Sequence, residues 1–321
     1  MRIILLYTLL LFASSLYSQS LQFINHEAIS LKSNSYTINA NQSFLTEIFI
    51  SIQNLTNTVQ NYTLMFDEGQ NTNGPNDFNR VATYLSNSLS YQIFSLDTST
   101  TDYILKDYSN TALNLNNVIG NNTSAEQIQA NDTKQFSFYL LVHPLQYVQS
   151  GTYIDTVRVK LYNKTLSNIT SETDSLDQTL DIPVTIQIES IQELSINPLN
   201  TSLNFGIAQS NLIIQTSLDV LTNESFKINL QSSNNGSMVH ETNPINGTKI
   251  PYLVRFKTLE SNYSSWQQPS GSIDNLLSLT TLPMNMQTTG TIEFKISSDF
   301  DPSSKLSGNY SDTVTLTISE Y

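Results

Sequence analysis

The sequence predicts an all-β chain of two tandem β-sandwich domains, the second lacking its last strand. Three observations predict it: a surface composition of Ser, Thr, Asn and Gln in place of charge, short β-prone runs separated by turn residues, and one strand motif that occurs twice.

The chain has 321 residues, 39% hydrophobic and 13% charged. That length suits two domains of ordinary size. Exposed helices carry Glu, Lys and Arg, so the low charge favours β-structure with many turns. The formal net charge is −13, from 27 acidic and 14 basic residues. An acidic chain repels phosphate backbones and anionic membrane surfaces, which excludes nucleic acid as a partner. There is no cysteine, so disulfides, a lipidated cysteine and cysteine-based zinc sites are excluded.

Residues 1–18 read as a signal peptide. Arg2 supplies the positive start, an apolar run broken only by Thr8 follows, and Ala13, Ser14, Ser15 and Ser18 supply small residues before cleavage after Ser18. The alternative, a membrane anchor, needs a longer run.

In the mature chain Phe44, Ile48, Ile50 and Ile52 share one face, and Tyr62-Thr-Leu-Met-Phe66 and Phe136-Ser-Phe-Tyr-Leu-Leu-Val142 are further β-prone runs. Polar stretches at 67–80 and 114–123 separate them. No convincing amphipathic helix occurs; the best candidate, at 274–279, is short.

The repeat is the most informative feature. The first copy is Ser150-Gly-Thr-Tyr-Ile-Asp-Thr-Val-Arg-Val-Lys-Leu161 and the second is Ser307-Gly-Asn-Tyr-Ser-Asp-Thr-Val-Thr-Leu-Thr-Ile318. Gly151 and Gly308 stand 157 positions apart (308 − 151), about one sandwich domain. The glycines suit a positive-φ turn into the strand. Period-2 geometry puts Tyr153, Asp155, Val157, Val159 and Leu161 on one face of the first copy. It does the same with Tyr310, Asp312, Val314, Leu316 and Ile318 in the second. Asp155 and Asp312 are read as turn or backbone hydrogen-bonding residues.

After the first copy, Leu180, Ile182, Val184, Ile186 and Ile188 alternate with polar residues, enough to close the first domain. Pro183 lacks an N–H, which predicts a sheet edge there. After the second copy no matching strand follows in the sequence. The expectation is a second domain with an open apolar groove, short of a strand worth on the order of 10 kcal/mol at about 1.5–3 kcal/mol per buried side chain. That rivals the stability of a whole domain, so a strand from another chain would complete it.

The repeat resembles the C-terminal signature of the spore coat protein U family, the subunits of archaic chaperone–usher pili. Ser202-Leu-Asn-Phe-Gly206, Phe226-Lys-Ile-Asn-Leu-Gln-Ser-Ser-Asn-Asn-Gly236 and Ile250-Pro-Tyr-Leu-Val-Arg-Phe256 resemble further elements of that family, covering about 193–321. The first half matches at 144–161. Members often carry cysteines and this chain has none; 19–32 alternates too poorly to be a donor strand. The arrangement resembles a two-domain tip adhesin: a signal peptide at 1–18, an immunoglobulin-like adhesive sandwich at 19–190 and a pilin-like domain at 191–321.

The resemblance implies a periplasmic chaperone, an outer-membrane usher, a neighbouring subunit that donates a strand, a host or abiotic surface receptor, and export through the periplasm to the cell surface. The strand offered to chaperone and donor would be Tyr310, Asp312, Val314, Leu316, Ile318 and Tyr321. The alternatives are a secreted glycan- or protein-binding sandwich outside any pilus, and a shaft or adaptor subunit.

No catalytic or cofactor site is expected. His26, His143 and His240 have no partners at metal-ligand spacing, and no nucleophile elbow, zinc-protease or phosphate loop occurs. Asp67-Glu68 and Asp299/Asp301 are read as solvated turns in preference to calcium sites. The sequons at Asn54, Asn61 and Asn121 are read as composition. Phe78, Tyr84, Tyr103, Ile104 and Tyr108 are the expected adhesive-loop residues, against the alternative that each packs in its own domain. Trp266 is expected to cap the second core.

Overall fold

The computed structural model describes residues 19–26, 29–31, 43–71, 78–108, 113–121, 123–197, 202–244, 248–258, 261–279 and 286–320. The expected signal peptide and Tyr321 lie outside them. The chain is all-β, with isolated 3-10 turns between strands. No helix among the described residues is long and apolar enough to cross a membrane.

The first sandwich holds β1 (Leu21–His26), β2 (Ile29–Leu31), β3 (Phe44–Asn54), β4 (Thr63–Phe66), β5 (Arg80–Tyr84), β6 (Asn87–Phe94), β7 (Ile119–Gly120), β8 (Thr133–Val142), β9 (Gly151–Tyr162) and β10 (Leu176–Ile188). Their order is β1-β3-β8-β6-β5-β9-β10-β2, with β4 on the other side of β9. β5 pairs along β6 and touches β9 only at Thr83↔Ile154, so the sheet turns there and two layers face each other. This is the immunoglobulin pattern, including a split first strand: β1 pairs antiparallel with β3, and β2 crosses over to run parallel to β10. Residues 19–26 and 29–31 are therefore built into their own sandwich, with Leu21, Phe23 and Ile29 buried.

Alternation decides which residues fill the core. Tyr153, Val157, Val159 and Leu161 of β9 face Ile182, Val184, Ile186 and Ile188 of β10 across a continuous register, and all eight are buried. β10 is not the last strand of its sheet, although Pro183 itself lies at a local edge. β2 pairs with Val184–Ile186 immediately beyond it, and Pro183 sits where that outer pairing has not begun, so its missing N–H costs nothing.

The second sandwich holds β11 (Gln192–Asn197), β12 (Ile213–Thr222), β13 (Phe226–Ser232), β14 (Ser237–His240), β15 (Ile250–Thr258), β16 (Ser272–Leu279), β17 (Gln287–Ile296), β18 (Tyr310–Ser311) and β19 (Val314–Glu320). One sheet is β11-β12-β17-β15-β14-β18 and the facing one is β16-β13-β19. The first order repeats β1-β3-β8-β6-β5-β9, with β18 and β19 as two pieces of the second motif strand. β19 pairs with β13 as β9 pairs with β4. The best helical candidate of a sequence with no convincing helix, 274–279, is strand: β16 pairs with β13, and six residues are too few to hold a helix against a ready sheet edge.

Asn223 locks the joint between the sandwiches: its Nδ2 donates to Glu189 O and its Oδ1 accepts from Ile191 N, both at 2.7 Å. Beside it, burial raises the Glu224 pKa, eased by a hydrogen bond with Gln149 and reinforced by Glu320. A carboxyl raised in the folded state destabilises above its folded pKa, and the penalty is relieved as pH falls through that pKa towards the unfolded value. Glu224→Gln is therefore expected to raise the melting temperature at pH 7 and to have no effect below the unfolded carboxyl range. Melting curves across pH check this.

Candidate functional site: an open groove in the second sandwich

Each residue of the repeated motif has the same task in both copies. Gly151 has φ +147° and Gly308 has φ +151°. A Cβ at Gly151 would overlap the Tyr84 ring, and one at Gly308 would overlap His240. Those rings press on Tyr153 at 5.7 Å and Tyr310 at 5.0 Å. The tyrosine hydroxyls donate back four residues, Tyr153 to Gln149 O at 2.8 Å and Tyr310 to Leu306 O at 3.0 Å. This is the tyrosine corner of immunoglobulin-like strands. Gly151→Ala and Gly308→Ala are each expected to cost about 2 kcal/mol or more, through backbone strain and displaced rings. Denaturant unfolding checks it, and a cost below about 0.5 kcal/mol would contradict the ring-on-glycine reading.

The aspartates are structural. Asp155 accepts from Tyr91 Oη at 2.6 Å and from Gln70 N at 2.9 Å. Asp312 accepts from Tyr252 Oη and Ser232 Oγ, both at 2.6 Å, and from Asn234 N at 3.0 Å. Tyr91 on β6 and Tyr252 on β15 occupy equivalent strands. Burial, then the bond to Asp312, pushes the Tyr252 pKa up, so this hydroxyl remains a donor.

The two copies differ in what covers them. Tyr153, Asp155, Val157, Val159 and Leu161 are 0–4% exposed. Tyr310, Asp312, Val314, Leu316 and Ile318 present the same face and are only half-buried. In the first sandwich β10 lies beside β9, and β2 beside β10. In the second, no described strand runs along the outer edge of β19. The space instead forms a cavity of about 900 Å³, bounded by 307–316 on one side and by 202–208, the segment in the place of β2, on the other. Leu203 and Phe205 pack on the core from that side, while Ile207 is 86% exposed. Ile292 and Phe294 of β17 form part of the floor. The opening is therefore a slot of mixed polar and apolar lining, beside a strand edge that no described strand pairs. Such an edge is a template for hydrogen-bonding another strand.

The expected adhesive residues do not meet in one exposed patch. Phe78 is buried, with the Arg80 guanidinium 5.6 Å from its ring. Tyr84 lies on Gly151, Tyr103 and Ile104 are half-buried, and the Tyr108 hydroxyl donates to Thr170 O at 2.7 Å. The end of the first sandwich remote from β11 exposes Leu55 and Val59 instead. Their loop is rigid: Asn54, fully buried, donates to Thr58 O, Ile128 O and Gln129 O. Asn121 is also buried, so neither sequon presents its amide to solvent. The only sequence signal for this loop was a pair of lone apolar residues among Asn and Thr.

Trp266 does not cap the core. Its half-buried ring lies between Arg255 at 4.3 Å and Lys295 at 4.6 Å, on cations of β15 and β17. Asp301 accepts from Ser303 N and Oγ at the start of a 3-10 turn. Among the described residues no group of three or more His, Cys, Asp or Glu could hold a metal.

No protein-family model matches the chain, and no curated protein does. Solved structures do. The chain is similar to the CsuC–CsuE chaperone–tip subunit pre-assembly complex from archaic chaperone–usher Csu pili of Acinetobacter baumannii, at 16% identity over 92% of this chain and 99% of that one, with a TM-score of 0.39. It is similar to CfaE, the adhesive subunit of CFA/I fimbria of enterotoxigenic Escherichia coli, at 10% identity over 93% and 81%, with a TM-score of 0.33. The SafA pilin of Salmonella enterica in complex with the SafB chaperone follows at 10% identity over 79% and 82%, with a TM-score of 0.25. At such identities and scores, function rests on the geometry of the chain itself.

Proposed function

We propose that this chain is an exported pilus subunit of the tip-adhesin type, of the spore coat protein U kind. In this reading residues 19–190 form the adhesive domain and residues 191–321 form a pilin-like domain completed by a strand from another chain. The carrying observation is the contrast between two copies of one motif strand, sealed under β10 in the first sandwich and open in the second. Tyr310, Asp312, Val314, Leu316 and Ile318 would line the contact, first with a periplasmic chaperone brought to an usher, then with the neighbouring subunit. The rigid loop bearing Leu55 and Val59, remote from the groove, would contact the receptor surface. A donor role for residues 19–31 is disfavoured by their place in the first sandwich.

Co-expression with a chaperone of the chaperone–usher class tests this. The chain is expected to purify as a one-to-one complex that Leu316→Asp abolishes. A soluble monomer, indifferent to the chaperone and to the substitution, would contradict it.

A further inference from the structure

The outer face of β9 carries a second small core that adhesion and strand capture leave unused. Met65, Val118, Tyr162 and Ile169 are its buried members, with Tyr108 packed against them. Lys160, paired with Met65, belongs to this covered face. Lys160 is 8% exposed and Asp107 is 4% exposed. Lys160 Nζ donates to Asp107 Oδ2 at 2.6 Å and also to Glu172 Oε1. Asp107 is held by Tyr108 N at 2.6 Å, and the backbone of Glu172 by the Tyr162 hydroxyl at 2.9 Å. One amine and two carboxylates thus meet against aromatic rings, with the Glu172 side chain reaching solvent at 58% exposure.

We propose that Lys160 and Asp107 condense to an intramolecular amide, with Glu172 as the acid–base group. A buried ion pair gains little over an uncharged replacement, because desolvation offsets the attraction. Condensation removes both charges. A proton passes from Nζ to Asp107 Oδ2, leaving a neutral amine and a neutral acid. The Nζ lone pair attacks Asp107 Cγ. Glu172 takes a proton from Nζ and delivers it to the departing hydroxyl. The Cγ–O bond breaks, one water leaves towards the exposed Glu172, and that carboxylate is restored. Fixed contact between the reacting groups supplies the effective concentration that free amine and acid lack in water. The product would tie β9 to the loop after β6, 53 positions earlier in the chain.

Tryptic mapping of the folded, secreted full chain tests it. The expected result is a branched peptide joining the segments of Asp107 and Lys160, lighter by one water than their sum, with no cleavage after Lys160. Lys160→Arg, which keeps the charge, is expected to give only linear peptides. Glu172→Gln, which leaves the Lys160–Asp107 contact in place, is expected to slow linkage about a hundredfold or more. Linear peptides alone from the folded wild-type chain would show an ion pair only and overturn the proposal.

Discussion

Aspartate at Val159 and aspartate at Leu316 are expected to have opposite consequences, although the two residues hold the same place in the same motif. Val159 is fully buried between β9 and the facing sheet. A carboxylate there has no partner, and the cost is on the order of 4 kcal/mol or more, enough to unfold the first sandwich. Leu316 is half-buried on an open wall. Its replacement is expected to change the free chain by less than about 1 kcal/mol. The penalty appears only when a strand tries to close over it, so capture is lost while the fold persists. Denaturant unfolding of each variant, alone and with a partner strand, reads both effects. Equal destabilisation of the two free chains would mean that the groove is already sealed.

Arg80→Met is expected to damage the first sandwich about as severely, at about 3–5 kcal/mol. Arg80 is wholly buried. Its Nη2 donates to Asp67 O at 2.5 Å and Leu105 O at 2.8 Å, its Nε donates to Asp67 O at 3.0 Å, and its Nη1 donates to Gln92 Oε1 at 3.3 Å. The guanidinium thus joins the loop after β4 to the loop after β6. Burial lowers its pKa, opposed by Tyr91, Asp67 and Asp155, and the guanidinium is met by carbonyls. Methionine fills the space and strands those carbonyls, each at about 1–3 kcal/mol. A midpoint shift worth less than about 1 kcal/mol in urea would show that water replaces the guanidinium.

Much of the fold was legible because alternation reports burial directly. The run from Leu180 to Ile188 fixed β10, and the paired Gly, Tyr and Asp of the motif fixed where each sandwich turns into its motif strand. The face shared by Tyr310, Val314, Leu316 and Ile318 could be read as apolar before any coordinates. Other features depend on partners distant in sequence. Phe78 looks like a loop aromatic until Arg80 beneath it is seen to bind carbonyls from 66–67 and 105. Pro183 marks a local edge, yet nothing in the sequence signals that β2 returns to pair just past it. The 274–279 segment is the nearest the sequence comes to a helix, yet β13 offers it a pairing edge. The Lys160 cluster was invisible for the same reason, since position 160 lies on the polar half of the alternation and only loops from elsewhere bury it.

Backbone amide exchange along Val314–Glu320 is the most direct measurement of the open slot. In the free chain every second amide of β19, those turned from β13, should exchange quickly while the amides of β9 stay protected. Adding the strand of a partner subunit should slow them by orders of magnitude. Uniform protection of β19 in the free chain, unchanged by any partner, would mean that the second sandwich closes on itself.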